Sequence, residues 1–300
     1  MASQRALGAS EGRIEIPIDF RLDLRATLRP LGGHFRSDGW WAAMRTPAGS
    51  ATLRIRRSGT GVEAVAFGEG AEAALTTVPG LIGLEDCPED FATDHPLVAE
   101  LHRRHRGLRL GRTGRVFDAL LMAIVAQKVT GKEAGRGYQG LLRRFSEPAP
   151  GPAGLSLPPD PVRLAAAPYY EFHPLGIEKR RADIIRRVAA AATRVESLRA
   201  VEAGEARECL ESLAGIGRWT SAETVAVSHG DPDGVSVGDY HLKNEVVWHL
   251  TGRPRGTDEE MLELLEPFRP HRARVVRLLE TLGHAPAFGP RMPLRSIAGI

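Results

Sequence analysis

The sequence is poor in the residues that staple small folds. Its 300 residues include only two cysteines, Cys87 and Cys209, far apart and in no ligand spacing. That excludes a four-cysteine zinc or iron–sulfur site and a disulfide scaffold, and it fits a reducing compartment. Long apolar runs are missing too. The longest, 119–126, falls far short of the ~20 residues that a membrane-spanning helix needs. No apolar core follows a basic N-terminal region, so no signal peptide is read and a cytoplasmic location is expected. No repeat of fixed period occurs. Lysine is scarce: of 40 basic residues only Lys128, Lys132, Lys179 and Lys243 are lysines, the rest being arginine. Arginine's forked guanidinium suits phosphate, although a GC-rich coding sequence enriches arginine equally well. The net charge is only +3, with a pI of about 9.1.

What is present is an ordinary globular composition, 42% hydrophobic and 26% charged, in a chain long enough for two or more cores. After a loose terminus (1–12), apolar alternation predicts strands at 14–18, 40–44, 51–55 and 62–66, with a short helix at 22–31. Trp40 and Trp41 are adjacent, so in a strand they face opposite ways. A loop-rich stretch covers 78–96. From about 95 to 283 the pattern is helical, at 95–106, 115–130, 132–145, 161–166, 178–193, 205–213, 218–227, 240–250, 259–268 and 272–282. A Pro/Gly-rich linker at 146–161 interrupts it. The fold class is therefore α+β: a small N-terminal antiparallel sheet domain (1–94), a mainly helical part (95–283) and a tail (284–300) with Pro286, Pro290, Pro293, Arg291 and Arg295.

The densest chemical signal runs from Leu213 to Asn244. Gly215-Ile216-Gly217 makes a tight turn whose amides can hold an anion, and the helix from Arg218 adds its positive dipole end. Trp219 follows at once. Twenty residues later comes Asp239-Tyr240-His241-Leu242-Lys243 at the start of another helix. By itself Asp239 fits a helix cap as well as a catalytic carboxylate, and Gly-x-Gly joins helices in many folds.

Taken together these residues resemble the helix-hairpin-helix DNA glycosylase superfamily, with the hairpin near 205–229, and within it the alkylated-base (AlkA-type 3-methyladenine) branch. The resemblance covers roughly 115–277 by motif and the first hundred residues by layout only. It implies a helical glycosylase domain pair with its site in the cleft between the helical parts. Asp239 matches the catalytic carboxylate, which would stabilise positive charge on the sugar. Trp219 stands where lyase-competent members carry a nucleophilic lysine, so base release without strand cleavage is implied. Its ring, with Tyr240, would border the base pocket, and Glu223 stands where the family often has a further aromatic. Gly215, Gly217, Arg218, Thr220 and Lys243 would meet the DNA backbone. Gln127 and Lys128 match the segment that fills the gap left by a flipped base. The backbone carbonyls of Glu211, Leu213 and Ile216 would hold a monovalent cation (Na or K), no other cofactor being implied. Residues 179–181 with Arg186 and Arg187, and 271–274, resemble further basic segments of the family.

The expected function is excision of alkylated purines from damaged double-stranded DNA, in base excision repair. Alternatives are a glycosylase for uracil, hypoxanthine or an oxidised base, or a lesion-binding protein without catalysis. A bifunctional glycosylase/lyase is a weaker fourth. No membrane or protein partner is read, and a cleft that wraps DNA suits a monomer.

Overall fold

A computed structural model describes residues 11–286. Pro290, Arg291, Pro293 and Arg295 of the expected tail, and most of the loose N-terminus, lie outside the described residues. The strands are β1 (Glu11–Pro17), β2 (His34–Arg36), β3 (Gly39–Thr46), β4 (Gly49–Ser58) and β5 (Gly61–Phe67), paired antiparallel in the order β1-β5-β4-β3-β2. The two tryptophans of β3 part as strand geometry requires. Trp40 turns into the core and its indole N–H donates to the Gly32 carbonyl at 2.9 Å. Trp41 takes the other face, stacked on Phe67 and donating to Asp38.

Short helices α1 (Leu24–Leu28), α2 (Ala71–Leu75) and α3 (Val78–Leu81) cover the inner face. Leu28, Leu53, Ile55 and Leu81 are fully buried there. The helix expected over 22–31 is split: Pro30 lacks the N–H that continues the α ladder, and 29–31 form a 3-10 turn. The stretch expected to be loop-rich contains α3 and a 3-10 turn at Pro88–Asp90. The 146–161 segment is no free linker. Arg36 donates to its Ala153 carbonyl at 2.8 Å, and Gly151 lies on Phe67 so closely that a Cβ would come within 2.7 Å of Phe67 Cβ and 2.8 Å of the ring's Cγ.

The helices are α4 (Pro96–Arg104), α5 (Val116–Val125), α6 (Gly131–Phe145), α7 (Pro161–Ala166), α8 (Lys179–Ala190), α9 (Ala192–Ser197), α10 (Ala203–Glu211), α11 (Arg218–Ser228), α12 (Leu242–Thr251), α13 (Asp258–Leu265) and α14 (Arg272–Leu279). They form two cores. One runs through α5 to α11, with Leu120, Leu141, Phe172, Ile185, Leu210 and Val225 fully buried. The other is discontinuous: Val98 and Leu101 of α4 pack against Val246, Met261, Leu265 and Val275, more than a hundred residues later. Among the described residues no helix is long and apolar enough to cross a membrane.

Three arginines of the two further basic segments are internal, while Lys179, Arg180 and Arg187 stay exposed. Arg272 and Arg274, 7% and 1% exposed, pair with Asp233 at 2.6 Å and with Asp86. Arg181 is 5% exposed and donates to the carbonyls of Val125 (2.6 Å) and Gly176 (3.1 Å). In each case helix packing put the guanidinium against protein, where most of its donors found acceptors, Arg181 Nε being buried without one.

Candidate active site

The hairpin between α10 and α11 is fixed by one glycine. Gly215 has φ +92°, and a Cβ there would come within 2.6 Å of the Ile184 side chain on α8. Steric clash and left-handed backbone both demand glycine. Gly217 precedes α11 in extended conformation, with open space where a side chain would stand and no side-chain cap. The first amides of an eleven-residue helix therefore face outward beside exposed Arg218, an arrangement that favours an anion.

The opposite wall begins at Asp239. Its Oδ1 accepts from the backbone amides of His241 (2.7 Å) and Leu242 (2.9 Å), and its Oδ2 accepts from the Trp219 indole N–H at 3.0 Å. The cap reading of Asp239 holds. The cap fixes the carboxylate at the start of α12, and the indole, reaching across from the other helical core, fixes its second oxygen. Both residues are half-buried. Tyr240 is 56% exposed, its ring edge-on to His241 at 4.9 Å, so it stands at the rim.

Glu223 lies one turn beyond Trp219 on the same face of α11. Ser236, from the loop leading to Asp239, donates a hydrogen bond to its Oε1. Glu223 is open to solvent yet crowded by protein, as a group on the wall of a cleft is. Desolvation raises its pKa above the ordinary carboxylate range. The Asp239 and Glu280 charges raise it further, against the Ser236 hydrogen bond and the Arg277 charge.

The turn after α5 completes the region. Helix α5 stops at Val125, whose carbonyl Arg181 takes, not near 130 as the apolar run suggested. Exposed Lys128 adopts φ +54°, the one non-glycine residue with positive φ among those described. Gln127 donates from one side-chain nitrogen to Gly215 O (3.0 Å) and to Thr220 Oγ1 (2.9 Å), joining this turn to the hairpin.

No model of a known sequence family matches the chain, and no curated protein matches it by sequence. Solved structures do match. A 3-methyladenine DNA glycosylase from Archaeoglobus fulgidus superposes with a TM-score of 0.74 at 18% identity, covering 90% of this chain and 99% of that one. An 8-oxoguanine glycosylase/lyase from Clostridium acetobutylicum, in complex with double-stranded DNA, gives 0.66 at 15%, covering 90% and 95%. The 3-methyladenine DNA glycosylase Mag1 of Schizosaccharomyces pombe, in complex with abasic DNA, gives 0.50 at 20%, covering 61% and 88%. The chain has the helix-hairpin-helix DNA glycosylase fold.

Within that glycosylase fold the residues singled out by sequence part company. Trp219, Glu223 and Asp239 gather at one cleft, and Gly215, Gly217, Arg218, Gln127 and Lys128 gather beside it. Thr220, expected to face outward, is 3% exposed and serves the turn through Gln127. Lys243 is engaged by Asp258 at 3.4 Å. At the hairpin, Leu213 O already accepts from Ile216 N at 3.0 Å and Ala214 O from Arg187 at 3.0 Å. Among the described residues no His/Cys/Asp/Glu group fits a metal. The sequence reading missed Ser236, Arg277 and Glu280, which face Glu223. It also missed a cavity of about 660 Å³ elsewhere, bordered by Phe20, Arg21, His102 and Arg106. Such partners are far apart in sequence and leave no local signal.

Proposed function

We propose that the protein is a monofunctional DNA N-glycosylase that flips a damaged purine, alkylated ones foremost, from duplex DNA and hydrolyses its N-glycosidic bond. The observation that carries this is the Trp219–Asp239 pair, a carboxylate held at the mouth of the cleft by an indole from the facing helix. The solved glycosylases of the same fold support it.

In this reading the hairpin amides and Arg218 hold a backbone phosphate, and binding weakens with salt. The extruded base enters beside Trp219 and Tyr240, whose rings attract an electron-poor base by stacking and cation–π contact. The fixed carboxylate of Asp239 stabilises positive charge on the sugar and orients water. A 3- or 7-alkylated purine is already cationic. It leaves neutral when the bond electrons pass to it, so one carboxylate suffices. With Trp219 at this place no amine forms a Schiff base. A monovalent cation on the carbonyls of Glu211, Leu213 and Ile216 belongs to the same proposal. It would use the second lone pair of Leu213 O and lend the phosphate site further positive charge.

The test is release of 3-methyladenine or 7-methylguanine from alkylated duplex. Base release with no borohydride-trapped adduct supports the reading. A trapped adduct overturns the monofunctional assignment, and tight binding to abasic duplex without release of any base overturns catalysis.

Lys128 would fill the gap left by the base. Its left-handed backbone costs roughly 1 kcal/mol that glycine would not bear. Lys128→Gly is therefore expected to raise the melting temperature by about 2–4 °C while slowing base release about tenfold. A variant both more stable and equally active would remove Lys128 from the flipping step.

A further inference from the structure

Resting on the glycosylase reading, a second group in the same cleft extends the substrate class. We propose that the Glu223 carboxyl donates a proton to the departing base, so that the site hydrolyses uncharged damaged purines such as hypoxanthine as well as cationic ones.

The geometry is specific. Glu223 and Trp219 share one face of α11, a turn apart. The Ser236 hydroxyl, three residues before Asp239, holds Glu223 Oε1, so Oε2 is the oxygen available to carry a proton. The charged groups facing Glu223 are Asp239, Glu280 and Arg277, and the last two are paired with each other on and beside α14. Desolvation and two carboxylates favour the protonated form, against the Ser236 hydrogen bond and one guanidinium already engaged. The site thus holds two carboxyl groups in different surroundings: Asp239 accepts from three donors, and Glu223 is biased toward the acid by desolvation. Different surroundings of this kind divide the roles of charge stabiliser and proton donor.

The chemistry balances. The C1′–N9 bond breaks with its electron pair going to the purine. An uncharged purine would depart as an anion, and the Glu223 proton, delivered to a purine nitrogen, makes the leaving group neutral. Water forms the new bond to C1′ and its proton passes to Asp239. Glu223 is left ionised and Asp239 protonated, and solvent restores both. The net change is addition of one water. Acid assistance of this kind contributes about 10²–10⁴-fold.

Single-turnover release from duplexes carrying one hypoxanthine or one 7-methylguanine would be measured for wild type and Glu223→Gln, over about pH 5 to 9. For wild type, hypoxanthine release should fall as pH rises through the ionisation of Glu223. In Glu223→Gln that limb should vanish, and the ratio of hypoxanthine to 7-methylguanine rates should fall about 100-fold. The melting temperature of Glu223→Gln reports folding. It should exceed wild type above that ionisation, because glutamine removes a carboxylate that the fold desolvates, and should match it at acid pH. Equal losses on both lesions would overturn the proposal. So would a larger loss on 7-methylguanine, which would make Glu223 an ionised partner of cationic bases. Wild-type release of 7-methylguanine but not hypoxanthine overturns this inference alone. Release of neither overturns the glycosylase reading with it.

Discussion

Asp239→Asn is expected to lower base release by about 10³-fold or more, roughly 4 kcal/mol of transition-state stabilisation, while the fold survives. Asparagine can keep its oxygen toward the amides of His241 and Leu242, and it is as good a helix cap as aspartate. What it cannot do is present a negative charge to the sugar. Its amide nitrogen would also face the Trp219 N–H, donor against donor, where Oδ2 now accepts. The stability loss should therefore be about 1 kcal/mol, visible as a small shift in melting temperature. Asp239→Ala would lose the cap as well, costing about a further 1 kcal/mol. The decisive comparison is single-turnover release against melting temperature for both variants. Undiminished release by Asp239→Asn would reduce Asp239 to a cap.

The largest effect on stability is expected at Arg274. Its guanidinium, 1% exposed, meets both oxygens of Asp86, itself nearly buried, 188 residues earlier in the chain. Asp86 also accepts from the amide of Leu110 at 2.8 Å. Arg274→Ala leaves a carboxylate facing an empty space in low dielectric, and breaking a buried pair from one side costs about 3–5 kcal/mol. A fall in melting temperature of roughly 10 °C is expected for a chain of this size. His102 and His271 sharpen the test. Burial lowers the pKa of both, and the Arg274 charge lowers it further. Since they favour the neutral form in the fold, stability is lost as pH falls below the ordinary histidine range. Removing Arg274 relieves one cause, so the variant's deficit should be smaller at acid pH than at neutral pH. A melting curve displaced equally at both would show that the cation has no effect on these rings.

The sheet was legible because its strands alternate: the opposed fates of Trp40 and Trp41 follow from their adjacency. The hairpin was legible because only glycine tolerates the backbone of Gly215 against Ile184. The cap role of Asp239 was legible from its place at a helix start; its candidacy as the reactive carboxylate came from the resemblance. Three things were not. The second helical core joins α4 to α12–α14 around an intervening core, and helix periodicity says nothing about which faces meet. The internal arginines 181, 272 and 274 look in sequence like any exposed basic run, since Asp233 and Asp86 lie on distant loops and the Val125 carbonyl at the end of α5. The site's hydrogen bonds, from Gln127 to Gly215 and from Ser236 to Glu223, are likewise set by tertiary packing.

The Gln127 amide has a mechanical consequence. By holding the hairpin carbonyl and Thr220 together, it makes the turn bearing Lys128 and the loop of Gly215 a single stiff part, and Ile184 seats that part on the helical core. Such a part works as a caliper of fixed span. Under the proposed function, the distance between the hairpin that would grip the backbone and the Lys128 side chain is set before a duplex arrives, so one docking would interrogate one step of the double helix.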